Sequence, residues 1–391
     1  MSLKKNLVGL SAGAVMASER MLRGRRVTVP PGQVKSVLVL EYLLPLGCCV
    51  HLTPVYEAFK RSRPEIIVTV ATRGLGLAVL RHNSLVDHLI ETPDPLSDLS
   101  NAAKGLRAEL ARRELRPDCT LTGASDQRTR IALLALLAGG GWRGGFTLAP
   151  QLYQRPLRYR WDRSLIDNNL QLADLISVDA THLEPRVFFS KADVATAQAM
   201  VQEMNPADKP LILMVTQGSG GQSTGWHEER FVEVIRHAHE VLGCAVAYVG
   251  TAADTVAVER LRQAAGGIGE SLTGRTSVTE LAALLALSDA AVTLDTGTMH
   301  VGRAVGVPMV VMGPSWQKPL EWLPLDVPNV RILRGKDRNG VPAGYKLDEV
   351  QASAVIAALT ELLEVYPADP TQRQARIQTN ISEVYHHKDS Q

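Results

Sequence analysis

The sequence predicts an α/β protein built as two Rossmann-like domains facing across a cleft, and three observations carry that expectation. Short apolar runs suited to buried parallel strands, such as 211–215 and 290–294, alternate with segments of helical periodicity in both halves. The chain has 391 residues, long enough for two cores of ordinary domain size. Near its middle, Glu184-Pro185 and Lys209-Pro210 bracket a polar segment, after which the strand pattern restarts.

The elements follow in order. After Pro30-Pro31-Gly32, residues 36–40 read as a first buried strand, and a loop over 41–47 leads to a helix over 52–61. A strand at 66–71, a helix at 75–82, a short strand at 88–91 and helices at 101–115 and 128–137 complete the first half. A polar helix over 192–204 forms the junction. The second half reads strand 211–215, helix 228–242, strand 244–249, helices 253–265 and 277–287, strand 290–294, helix 297–306 and strand 308–312. The domains are then 33–185 and 186–346, with a basic extension at 1–32 and, over 347–391, a helix at 347–366 followed by a loose polar tail.

Composition is that of a globular protein, with 45% hydrophobic and 21% charged residues and a net charge of +2. The charge is uneven: residues 104–163 hold twelve Lys or Arg against five Asp or Glu, which hints at an anionic partner for the first half, although merely solvated arginines on exposed helix faces are the plainer reading. Aromatic residues are 5% of the chain and no nucleic-acid motif occurs, so a phosphorylated glycolipid or glycan is expected as that partner and nucleic acid is not. Cys48, Cys49, Cys119 and Cys244 show no C-x-x-C spacing, so neither a metal site nor a disulfide framework is expected and a cytoplasmic location fits. No resident cofactor is called for. There is no 18-residue apolar run. At the N-terminus, Lys4 and Lys5 precede an apolar run and Arg20, Arg23, Arg25 and Arg26 follow it. A basic amphipathic segment lying on the inner membrane surface is preferred there to a disordered extension or a short secretory signal.

The densest chemistry lies in 290–315, AAVTLDTGTMHVGRAVGVPMVVMGPS, which reads strand, polar turn, helix, strand. Asp295-Thr296-Gly297-Thr298 has the composition of a helix start. Its free N–H groups and the positive end of the helix dipole suit a phosphate, with His300 one turn further on. Asp295 is better cast as a cap or a sugar-hydroxyl acceptor, because its charge would repel a diphosphate. The plain alternative is an ordinary βαβ crossover with a capping Asp. A glycine-rich loop, Gln217-Gly218-Ser219-Gly220-Gly221-Gln222-Ser223, follows the strand ending at Val215 and allows close backbone approach to a ligand, or is simply a surface loop.

Residues 274–315 resemble the nucleotide-sugar site of the ADP-heptose glycosyltransferases: a Gly-Arg-Thr-Ser segment, a Leu/Ala-rich helix, Asp-Thr-Gly-x-x-His, an Ala/Gly-rich helix and a Gly-Pro turn, in that order. Residues 215–231 resemble the family's block of Gly-Ser, Trp and a helix beginning Glu-Arg-Phe, and fainter similarity spans about 35–365. The resemblance implies the GT-B arrangement, with the helix at 347–366 crossing back to the first domain, and inverting, metal-independent transfer from a nucleotide-diphosphate sugar. It places the donor at Gly218, Ser219, Thr224, Glu280, Asp295, Thr296, Gly297, Thr298 and His300, and the acceptor at loop 44–53 and near Arg128 and Arg130.

Two positions depart from the family. Where it carries Gly-Asp, with the Asp as general base, this chain has Gly47-Cys48, and a thiol of ordinary acidity is a poor base. Where it carries a lysine two residues before the tryptophan, this chain has Thr224. Glu41 or His51 could supply the base from the same loop; the chain could use another donor or acceptor; or it could bind a nucleotide sugar or glycan without turning it over. A sugar-nucleotide epimerase or dehydrogenase is disfavoured, because no G-x-G-x-x-G follows the first strand.

Overall fold

The computed structural model describes residues 29–43, 45–218, 225–341 and 343–386. The expected N-terminal amphipathic segment lies outside the described residues, as do Leu44, Ser219 and Thr224. Contacts divide the chain into two units, one running to Pro185 and resuming at Tyr385, the other Arg186–Val384.

In the first unit the order is β1 (Ser36–Leu40), α1 (Leu46–Ser62), β2 (Ile67–Thr72), α2 (Leu75–Leu80), β3 (His88–Glu91), α3 (Leu99–Arg112), β4 (Cys119–Thr122), α4 (Thr129–Ala138), β5 (Trp142–Phe146), β6 (Arg155–Leu157) and α5 (Leu165–Asp174). The strands form one parallel sheet in the order β3-β2-β1-β4-β5-β6. β1, buried along its whole length, sets Leu40 beside Ala71 on one side and Thr122 on the other. Its unbroken apolar run has this cause, since helices cover both faces of a parallel sheet.

The structure corrects the first half in two places. α1 begins at Leu46, so Cys48 and His51 are helical and not in a loop. Pro54 lies inside this helix, although proline removes a helical N–H and normally ends a helix. Here the helix runs through it, and Thr53 Oγ1 donates to the Val50 carbonyl at 2.8 Å, filling the place of the missing bond. β4, β5 and β6 went unseen. β5 reads Trp-Arg-Gly-Gly-Phe, and Gly145, at φ 108°, lies so close to β4 that a Cβ would sit 2.3 Å from the Thr122 carbonyl oxygen.

In the second unit the order is α6 (Lys191–Met204), β7 (Leu211–Val215), α7 (Glu228–Arg236), β8 (Ala245–Tyr248), α8 (Thr255–Ala264), β9 (Glu270–Ser271), α9 (Val278–Leu287), β10 (Ala290–Leu294), α10 (Gly297–Val305), β11 (Met309–Met312), α11 (Pro319–Trp322), β12 (Val330–Leu333), α12 (Ala352–Val365) and α13 (Pro370–Asn380). Its parallel sheet has the order β12-β11-β10-β7-β8-β9. α10 stops at Gly306, which takes the left-handed conformation at φ 76°.

The helix expected over 347–366 is α12 (Ala352–Val365). α12 packs on α7, β11 and β12, and its Val355, Leu359 and Leu362 share a core with Ile212 and Val292. The tail expected to be loose is ordered: Asp369 caps α13, and Arg373 donates to both carboxylate oxygens of buried Asp289, at 2.8 and 2.7 Å. α13 is polar because charge, not apolar area, holds it. The chain meets the first unit again where the His386 N–H donates to the Arg81 carbonyl at 2.9 Å. Among the described residues, no helix is long and apolar enough to cross a membrane.

Candidate functional site

Each sheet reverses its strand order once, between β1 and β4 in the first unit and between β7 and β10 in the second. The carboxyl ends of strands flanking such a reversal open a crevice, because their connections leave toward opposite sides. In the first unit Glu41 follows β1 and Asp126 follows β4; in the second Gly218 follows β7 and Asp295 follows β10.

In the second unit, the Asp295 N–H donates to the Met312 carbonyl at 3.1 Å, extending the β10–β11 ladder by one bond. The chain then turns at Thr296 into α10. Thr296 is the N-cap, yet its hydroxyl makes no capping bond; Oγ1 is buried and has no hydrogen-bond partner among the described residues. A buried orphan hydroxyl costs free energy. It sits where the first-turn N–H groups of a helix also lack partners, beside half-buried Gly297 and Thr298. The turn therefore presents several donors and the positive end of a helix dipole.

Behind the turn lies a buried cluster. Burial pushes the Asp295 carboxyl up to about 6. Burial first, and Arg303 second, push His300 down to about 3, so the imidazole is neutral at physiological pH. Its Nε2 is 3.9 Å from Asp295 Oδ1, too far for a hydrogen bond, and its ring meets Trp322 edge-on at 6.2 Å between centroids. With its amide oriented to satisfy both neighbours, Gln317 donates to Asp295 Oδ2 at 3.1 Å and accepts from Trp322 Nε1 at 3.1 Å. His300 is thus buried behind the turn, 4% exposed.

Glu280 is occupied by its own helix. Its Oε2 accepts the Ser277 N–H at 2.7 Å while the Ser277 hydroxyl accepts the Glu280 N–H at 3.2 Å, a capping box at the start of α9. Gly218 is half-buried just past β7. Trp226 is packed edge-on against Phe231 and donates to the Val350 carbonyl at 2.9 Å.

In the first unit, Glu41, Cys48, Gly123, Ser125, Asp126 and Asn169 line a small pocket. Glu41 is 4% exposed, and Tyr56 donates to its Oε2 at 3.0 Å. Burial pushes its carboxyl up to about 8, against the lowering effect of the Tyr56 hydroxyl and the Cys49 thiol and with a small push from Asp126. Asp126 Oδ2 accepts the N–H groups of Tyr42 and Leu43 at 2.5 and 3.1 Å, which fixes the chain leaving β1. Its Oδ1 accepts from Arg128 at 2.5 Å.

The structure thus brings Glu41 and Cys48 to one pocket. His51, 1% exposed on α1, does not line it; Asn169 bonds its carbonyl at 3.0 Å. Arg128 reaches the pocket only through Asp126, and Arg130 is tied to the carbonyls of Leu96 and Ser97. Asp126, Tyr56, Gln317 and Trp322 were not singled out from the sequence, and their spacing carries no signal: Asp126 meets Tyr42 across 84 residues. Among the described residues no group of three or more His, Cys, Asp or Glu is placed to hold a metal ion.

Two doubly wound parallel sheets, each with polar groups gathered at its switch point, make up the GT-B fold. A family model described as glycosyltransferase family 9 (heptosyltransferase) matches residues 128–333, more than half of the chain, and the chain belongs to that family. Solved structures agree in fold. A family 9 glycosyl transferase from Veillonella parvula DSM 2008 aligns with a TM-score of 0.75 at 21% identity, over 85% of this chain and 98% of that one. The ADP-heptose lps heptosyltransferase II of E. coli aligns with a TM-score of 0.69 at 19% identity, over 85% of this chain and 100% of that one. The E. coli heptosyltransferase WaaC with ADP-2-deoxy-2-fluoro heptose aligns with a TM-score of 0.63 at 17% identity, over 83% of this chain and 99% of that one. No curated protein matches the chain by sequence.

Proposed function

We propose that this protein transfers a sugar, heptose in the first instance, from a nucleotide-diphosphate donor to a lipopolysaccharide-type or related glycan acceptor, with inversion and without a metal ion. The observation that carries the reading is the buried, unpartnered Thr296 hydroxyl at the start of α10. A diphosphate oxygen is the partner that would satisfy it together with the first-turn N–H groups. In the reaction an acceptor oxygen bonds to the anomeric carbon as the bond to the diphosphate oxygen breaks. The leaving group departs with the electron pair, and the helix start stabilises the charge that develops on it. Asp295 accepts from a sugar hydroxyl, and Gln317 holds it in place.

The acceptor proton goes to Glu41. With its pKa raised to about 8, Glu41 is about nine-tenths protonated at pH 7 and becomes competent as the pH rises. Cys48 shares the pocket and stands where the family carries its aspartate.

The test is calorimetric titration with ADP, UDP, GDP and CMP, followed by turnover of the matching sugar nucleotide. Selective binding with transfer or slow hydrolysis supports the reading, and no binding to any nucleotide removes the Thr296 assignment. A second reading, a binder of nucleotide sugar or glycan that has lost turnover, is favoured by Cys48 standing where the family has its aspartate. Cys48→Asp raises transfer in an enzyme of the family's mechanism and leaves a pure binder inert.

A further inference from the structure

We infer that the rim formed by the chain after β5 and the chain after β6 is a docking surface for an anionic lipid bilayer. β5 and β6 are parallel neighbours at the edge of the first sheet, so both connections leave from its carboxyl end, the end that also carries Glu41 and Asp126. Two large apolar side chains stand out into solvent there: Leu148, 71% exposed, and Trp161, 66% exposed. Trp161 is held up by an aromatic ladder. Its ring meets Tyr159 edge-on at 4.8 Å, and Tyr159 meets buried Phe146, the last residue of β5, at 6.3 Å. A ladder rooted in the core presents the indole outward on a fixed base.

The charge beside Trp161 is mostly positive. Residues 158–163, the chain after β6, contain Arg158, Arg160 and Arg163 against Asp162 alone. Arg158 and Arg160 are exposed, and the Arg160–Asp162 pair at 2.8 Å is itself exposed, at 47% and 67%, so solvent screens it. An exposed tryptophan and leucine set among guanidinium groups match the boundary between headgroups and acyl chains, where an indole sits at headgroup level and arginine meets lipid phosphate. A glycan would use the indole face and the arginines, but Leu148 has no polar or π group to offer a sugar. The bilayer is therefore the occupant that accounts for all of them. This inference stands on the first unit alone and does not depend on the donor site.

The experiment is sedimentation of the full chain with vesicles of phosphatidylcholine alone or with one-third phosphatidylglycerol, at low and high salt. The expected result is salt-sensitive binding to the anionic vesicles only, about tenfold weaker or more in the double variant Leu148→Ala, Trp161→Ala. Arg158→Glu with Arg160→Glu, which leaves the aromatic ladder intact, is expected to lose at least as much. Brominated lipid is expected to quench part of the wild-type tryptophan emission that Trp161→Phe no longer shows. Vesicle binding unchanged in both double variants, absence of vesicle binding by the wild type, or protection of Trp161 from quenching by a soluble phosphorylated oligosaccharide but not by vesicles would each overturn the inference. ADP titration of the same variants reports separately on the donor site, so its failure and the failure of the rim are read independently.

Discussion

Tyr56 donates its hydroxyl to Glu41 Oε2 at 3.0 Å with both side chains shut away from water. A phenolic donor favours the ionised carboxylate, but the cost of desolvating that charge is larger, and burial holds the carboxyl pKa near 8. The same burial, and then the neighbouring carboxylate, raise the Tyr56 phenol well above its usual value, so it remains a donor. This contact joins the chain leaving β1 to the third turn of α1, while burial sets the protonation state of the carboxyl.

Stability should fall as the pH rises from 4.5 to about 8, because over that window the unfolded chain releases the Glu41 proton and the folded chain keeps it. Below 4.5 both states hold the proton and the contribution vanishes. Glu41→Gln removes this slope. Its melting temperature should exceed that of the wild type by several degrees at pH 8 and match it near pH 4.5. If Glu41 takes the acceptor proton, the same variant loses about 100-fold or more in transfer rate while folding better.

Thr296→Val tests the orphan hydroxyl. Valine has a similar shape and no polar group, so the free protein should be as stable as the wild type or more stable by up to about 1 kcal/mol. Affinity for a nucleoside diphosphate should drop about five- to tenfold in calorimetry. Lower stability with unchanged affinity would make the hydroxyl a structural group.

Asp126→Ala strips acceptors from the N–H groups of Tyr42 and Leu43 and a partner from Arg128. Urea unfolding should register a loss of about 3 kcal/mol. Asp126→Asn keeps one carbonyl acceptor and should recover part of it. A loss below about 1 kcal/mol in the alanine variant would show that the chain after β1 is held by other contacts.

Arg373→Ala leaves Asp289, 4% exposed, with its charge uncompensated, although the Leu211 N–H still donates to Oδ2 at 2.8 Å. Breaking a buried pair on one side costs about 3–5 kcal/mol. Asp289 lies at the amino end of β10 and Asp295 at the carboxyl end, so nucleotide affinity should not change. A variant that binds nucleotide poorly but unfolds like the wild type would contradict this separation.

The two halves differ in how much of each could be read in advance. β7, β10 and β11 are short unbroken apolar runs between well-marked helices, and their bounds were legible to within a residue. β5 was not, because its glycines and its arginine are explained only by neighbours: Gly145 by the Thr122 backbone, and buried Arg143 by the Leu152 carbonyl it reaches at 2.8 Å. α1 begins six residues before the helix expected over 52–61, and within it Thr53 replaces the bond that Pro54 lacks.

What the sequence by itself determined is local: the alternation of strands and helices, the turn Asp295-Thr296-Gly297-Thr298 that opens α10, and Cys48 in place of the family's aspartate. These follow from residue type and spacing along one stretch of chain. Only the tertiary structure decided that Glu41 is buried against Tyr56, that Asp126 anchors the chain after β1, that His300 is neutral beneath its turn, and that α12 stays with the second unit. Each of these depends on desolvation or on a partner far away in sequence, and neither quantity exists until the chain has folded.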